Sequence, residues 1–119
     1  MYSLSYKNKI LSKLLKLKKK DRLFYSHNKL RDIERLLNIT PNTLHTVLNE
    51  LNISLYKERE NEFITIVEEL DVEELNLKNI QRIFKYRYVS QVYKKFKQYY
   101  GISLKEYKQQ RRENEIWIN

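Results

Sequence analysis

Side chains able to do covalent or acid–base chemistry are scarce in this sequence. There is no cysteine, which removes disulfides and thiolate metal sites and suits a reducing compartment. The two histidines, His27 and His45, have no partner at metal-ligand spacing, so His45 reads as a surface residue. No Gly-rich phosphate loop, nucleophile elbow or zinc-binding pair occurs. The acidic stretch Glu68, Glu69, Asp71, Glu73 and Glu74 has the residue types of a cation site, but at a helix end it reads as a solvated face. The expectation is therefore no enzyme, no cofactor and no metal. What the chain does hold is cations and amides, groups that recognise instead of transform. Lys and Arg number 24 against 15 Asp and Glu, for a formal charge of +9. An acidic polymer is the natural partner of such a chain, and nucleic acid is the commonest.

The charge is segregated. Residues 1–29 carry nine Lys or Arg and one Asp, and residues 77–112 carry eleven against one Glu. Between them, residues 55–76 carry two against eight. Each phosphate neutralised by a cation releases condensed counterions, the drive for sequence-independent binding. The C-terminal block is the stronger candidate surface, because apolar residues alternate with its charges and can hold them in place. In the N-terminal block the run Lys18-Lys19-Lys20 fits either a phosphate clamp or a solvated helix end.

The elements that must position these groups are helical. The 119 residues include one Gly, Gly101, and one Pro, Pro41, too few turn formers for a sheet protein of this size. No apolar run approaches the roughly 18 residues of a membrane span, and the lysines of the N-terminus interrupt any signal-like stretch. An apolar pattern then occurs twice. Leu30, Ile33, Leu36 and Leu37 are matched by Leu77, Ile80, Ile83 and Phe84, 47 residues on. Leu44, Leu48 and Leu51 are matched by Val92, Phe96 and Tyr99 or Tyr100. The reversal Asn52-Ile53-Ser54-Leu55 is matched by Gly101-Ile102-Ser103-Leu104, where Asn and Gly tolerate a left-handed helix end. In the first turn Asn38 suits the left-handed region, Thr40 a helix cap and Pro41 the first helical position. The spacing predicts an all-α fold of two helix-turn-helix subdomains joined by a linker helix. The segments are a basic N-terminal helix (1–29), a first helix-turn-helix (30–55), a linker with an acidic end (56–76), and a second helix-turn-helix with a tail (77–119). The linker, Tyr56 to about Leu70, is expected to be a rod that sets the spacing of the two units. Ile10, Leu11, Leu14, Leu15 and Leu17 predict an N-terminal helix packed on the first unit.

The segment FKQYYGISLKEYKQQRR, Phe96 to Arg112, resembles the end of the DNA-binding region of AraC-type transcription regulators: Phe96, Lys97, Gly101, Ser103 and Tyr107 carry the pattern. LRDIERLLNITPNTLHTVL, Leu30 to Leu48, resembles that family's first helix-turn-helix. The chain departs from the family at Lys85, where Gly is usual, at Gln81, where Ala is frequent, and at Tyr88, where a small cap is usual. Ser90 is then the expected cap. The resemblance implies a short stand-alone regulator without a small-molecule effector domain, controlled by its abundance.

A recognition helix places its N-terminal residues against base edges. The expected readers are Asn42, Thr43, His45 and Thr46 in the first unit, and Ser90, Gln91, Tyr93 and Lys94 in the second. Asn and Gln suit adenine, Thr a thymine methyl, and Lys guanine or phosphate. Arg87, Lys95 and Lys97 are the expected phosphate contacts. The expected function is sequence-specific binding of double-stranded DNA in transcription regulation, through two recognition helices in successive major grooves. The expected setting is the bacterial cytoplasm or nucleoid, or a phage or plasmid, with no membrane partner. The alternative is a small phage- or mobile-element-type regulator whose acidic middle docks on RNA polymerase or another transcription protein. RNA binding, suggested by ten tyrosines, is the third reading; the tyrosines near 86, 99, 100 and 107 lie beside apolar stripes and are expected to pack in the core.

Overall fold

In the computed structural model the backbone of residues 1–118 and the side chains of residues 1–114 are described; the end of the expected C-terminal tail lies outside them. Among the described residues the fold is all-α. The helices are α1 (Leu4–Lys20), α2 (Phe24–His27), α3 (Leu30–Leu37), α4 (Thr43–Glu50), α5 (Leu55–Glu69), α6 (Leu77–Phe84), α7 (Val89–Tyr100) and α8 (Leu104–Ile118), with a 3-10 turn at Val72–Glu74. Among the described residues no helix is long and apolar enough to cross a membrane. The chain forms two compact units, Met1–Phe63 and Ile64–Asn119. The boundary falls inside α5, so the expected linker contributes residues to both units and is not a separate piece.

The repeat anticipated from the apolar spacing is present in the backbone. Asn38 (φ 55°) and Lys85 (φ 57°), 47 residues apart, both take the left-handed conformation after α3 and α6. Asn52 (φ 57°) and Gly101 (φ 75°) do so after α4 and α7. Three of these four ends share one hydrogen-bond pattern. The N–H of Ile39, Tyr86 and Ile53 donates to the carbonyl five residues back, while the N–H of Asn38, Lys85 and Asn52 donates three residues back. That is the Schellman closure, which satisfies the last carbonyls of a helix. Gly101 instead makes a single bond from its N–H to the carbonyl of Lys97, at 3.1 Å, the simpler left-handed cap. A lysine at such a position carries Cβ strain that glycine lacks. Relief of that strain is worth about 1–2 kcal/mol. It is partly offset by the larger chain entropy glycine loses on folding, about 0.4–1 kcal/mol. Lys85→Gly is therefore expected to stabilise the second unit by about 0.5–1 kcal/mol, read as a higher denaturant midpoint with an unchanged slope.

The two turns are also bridged by side chains from one repeat position. Glu34 on α3 is buried, and its Oε2 accepts the Leu44 N–H at the start of α4, at 3.4 Å. Gln81, 47 residues later on α6, donates its Nε2 to the Arg87 carbonyl before α7, at 3.1 Å. The departure at Gln81 thus has a structural role that alanine could not perform.

In the first unit α1 packs on α2 and α3, and α3 on α4. Ile10, Leu14, Phe24, Ile33, Leu44 and Val47 are among the core side chains. Two expected core residues lie outside it: Leu36 is 55 % exposed and Leu15 53 % exposed. Each sits one residue beside the stripe that faces the core, where a helix turns away by about 100° per residue.

The short α2 is held at both ends by α5. Glu62 is buried. Its Oε1 accepts the Ser26 N–H and hydroxyl, each at 2.7 Å, and its Oε2 accepts the Tyr25 N–H at 3.1 Å. Three residues earlier, Arg59 donates Nε to the Tyr25 carbonyl at 2.9 Å and Nη2 to the Asn28 carbonyl at 3.1 Å. A carboxylate thus meets the free N–H groups of a helix start and a guanidinium meets its free carbonyls, as the dipole requires. Lys18 closes the arrangement, 3.3 Å from Glu58 and 3.4 Å from Glu62, with its ammonium over the Tyr25 ring.

Burial, followed by the charges of Glu58 and Glu62, pushes the Tyr25 hydroxyl up from 10.0 to about 12. Its folded value exceeds its unfolded one, so the stability this residue contributes is complete below pH 10 and is lost as pH rises through 12. An absorbance titration should show Tyr25 ionising late, with unfolding of the first unit. In Tyr25→Phe that late step should vanish.

In the second unit Val67, Val72, Leu75, Ile80, Phe84, Val92, Phe96 and Leu104 are buried. The expected packing role holds for Tyr86, Tyr100 and Tyr107, each half-buried. Tyr86 stacks on Phe84 at 5.5 Å, and Phe96, Tyr100 and Tyr107 form one cluster with ring centroids 4.8–5.7 Å apart. Burial raises the Tyr100 hydroxyl well above the usual tyrosine range. Arg111 reaches from α8 to the Val67 carbonyl at 3.3 Å.

Candidate nucleic-acid interface

The surface of α7 follows from its sequence, VSQVYKKFKQYY. Val92 and Phe96 turn into the core, fully buried. The opposite face carries Ser90, Lys94 and Lys97 at four- and three-residue spacing, all exposed. Arg87, exposed, precedes the helix, and α7 itself contains no acidic residue. Lys94, Lys97, Ser90, Tyr93 and Arg87 are therefore all presented to solvent by one helix and its approach.

Three expectations in this unit are corrected. The helix begins at Val89 with Tyr88 as its cap residue, so Ser90 lies in the first turn and does not cap. Gln91 has the capping task instead: its Oε1 accepts the Tyr88 N–H at 3.0 Å, so one end of the amide assigned to adenine is engaged. Lys95, assigned to phosphate, is half-buried and lies back along its own helix. Its Nζ is 3.4 Å from Gln98 Oε1, 3.5 Å from the Tyr99 hydroxyl and 5.3 Å from the Tyr99 ring. The reason is register, since positions 95 and 99 flank the core stripe.

The first unit is corrected further. The α4 helix starts at Thr43, not at Pro41. Asn42 is left-handed, with φ 72° and ψ −7°, and the Thr43 N–H donates to the Thr40 carbonyl at 3.3 Å. Pro41 and Asn42 thus form the centre of a tight turn, with Asn in the position of a type II turn that needs positive φ. Thr40 does not cap the helix; its hydroxyl pairs with that of Thr43 at 2.6 Å. Thr43 is 6 % exposed, so it is removed from the candidate readers. Asn42 is exposed on the turn and not on the helix face. His45, Thr46 and Asn49 are the exposed residues of α4, with Asn49 Nδ2 3.2 Å from His45 Nε2. This face carries no Lys or Arg.

Sequence reading missed two further surfaces. The Lys18-Lys19-Lys20 run does not act together, because Lys18 is engaged with Glu58 and Glu62. Instead Lys9, Lys13, Lys16 and Lys20 recur at four- and three-residue spacing, all exposed, on a helix with no acidic residue. The helical period of the lysines was the available signal. The second missed surface is apolar: Tyr88, Val89 and Tyr93 are 57 %, 40 % and 53 % exposed at the start of α7. Reading Tyr88 as a poor cap obscured it. His27, by contrast, pairs with Asp21, Nδ1 to Oδ2 at 2.8 Å, and among the described residues no three His, Asp or Glu side chains converge as a metal site would need. No family model, curated protein or solved structure matches the chain.

Proposed function

We propose that the chain is a sequence-specific double-stranded DNA-binding protein of transcription regulation, in which α3–α4 and α6–α7 act as helix-turn-helix units. The observation that carries this reading is the outward face of α7: Ser90, Lys94 and Lys97 exposed in register on a helix without acidic residues, with Arg87 beside it. A duplex offers a dense line of phosphates to such a surface and base edges to the residues between its cations. The resemblance of Phe96–Arg112 to the AraC-type DNA-binding region points the same way. The lysine row of α1 would add backbone contacts that strengthen binding without specifying sequence.

The competing reading, docking of the acidic middle on a transcription protein, draws less support. Glu58 and Glu62 serve the interior of the first unit, and Glu74 Oε1 accepts the Asp71 N–H in the 3-10 turn.

The test is selection from a random duplex pool with the purified protein, followed by footprinting. Enrichment of one motif is expected, with affinity falling steeply as salt rises. A protein that enriches no duplex, and that captures a protein partner without DNA, would overturn the proposal.

A further inference from the structure

The start of α7 presents an apolar surface where a DNA-reading helix usually presents hydrogen-bonding groups. Val89 and Tyr93 are four residues apart and share one face, with Tyr88 immediately before them; all three are exposed. Gln91 spends its carbonyl oxygen on the Tyr88 N–H, and Ser90 is short. The polar readers available at this end are few, while the apolar ones are large. The surroundings are cationic. Arg87, Lys94 and Lys97 flank the patch and are exposed, and no Asp or Glu occurs from Lys85 to Lys105.

An apolar patch among cations fits a polyanion that carries apolar points. In the major groove of a duplex that point is the thymine C5 methyl, which no other base pair component offers. Stacking on unpaired bases would call for open ring faces. Here Val89 has none, and the Arg87 guanidinium already lies over the Tyr88 ring at 5.4 Å, which leaves the exposed Tyr93 as a single ring and not a stacking platform. We propose that Val89 and Tyr93, with Tyr88 beside them, form a binding site for thymine methyl groups, so that the second unit reads T by apolar contact and not by hydrogen bonds. This rests on the duplex-binding reading above.

The experiment compares the duplex recovered by selection with the same duplex in which deoxyuridine replaces thymidine, one position at a time. The exchange deletes one methyl and leaves every hydrogen-bonding group in place. At the contacted positions affinity should fall about fourfold per methyl, the worth of one buried methyl-sized group. Val89→Ala should bind the thymidine duplex more weakly and lose the response to deoxyuridine at one of those positions, since the two deletions remove the same contact. Its exposure makes this a safe substitution for the fold. Equal binding of thymidine and deoxyuridine duplexes at every position overturns the proposal while leaving duplex recognition standing. Failure to enrich any duplex, or preference for single strands or anionic vesicles, overturns both.

Discussion

Glu62→Ala is expected to destabilise the first unit by about 2–4 kcal/mol, the largest single-residue effect on stability here. The carboxylate accepts from two backbone N–H groups and one hydroxyl, and stands 3.4 Å from Lys18. Truncation leaves the donors at the start of α2 without their acceptor at a buried position. The cost is that of stranded partners more than of the pair itself. Glu62→Gln keeps one acceptor oxygen and places an N–H₂ against the remaining donors, so roughly half the loss is expected. Arg59→Ala, at the other end of α2, should also cost about 1–2 kcal/mol, because two carbonyls lose a charged donor. For a unit of this size each kcal/mol lowers the melting temperature by roughly 4–8 °C. Thermal unfolding by circular dichroism checks the shift, and amide exchange at Tyr25 and Ser26 checks its location. A Glu62→Ala protein that melts with the wild type would refute this account of α2.

Lys94→Glu is expected to weaken duplex binding by roughly tenfold or more, with a shallower dependence on salt. Lys94 lies at the centre of the exposed face of α7, and its reversal puts a carboxylate against phosphates where no other acidic residue stands in the helix. Loss of one amide in the first unit should matter less, because the exposed face of α4 carries only His45, Thr46 and Asn49. The fair comparison is Asn42→Gly. Alanine at this residue would have to hold φ 72°, and turn strain would be confounded with loss of the amide. Glycine removes the amide and keeps the turn. A binding assay over a salt series measures both variants. An equal or larger loss in Asn42→Gly would refute the dominance of the second unit in binding.

Much of the architecture is legible in the amino-acid order alone. The helical period of Leu30, Ile33 and Leu37, repeated at Leu77, Ile80 and Phe84, sets out the recurring helices, since burying one face of a short helix needs only that spacing. Asn38, Asn52 and Gly101 mark helix ends because few residues tolerate the left-handed region. The same order misplaces what depends on neighbours. Thr43 has the composition of a reader and lies buried against Thr40. Lys95 has the charge of a phosphate contact and lies along Tyr99. Lys85 turns left-handed although its residue type disfavours that region, because the Schellman closure and the Gln81 bridge over-determine that turn. Glu62 was readable only as one acid among eight in its segment, although its place in the stripe with Arg59, Phe63 and Ile66 was a clue. Periodicity is a local property, so sequence determines it. The pairing of a buried carboxylate with a helix start 36 residues away is a property of packing, and only the tertiary structure decides which polar groups face water and which face each other.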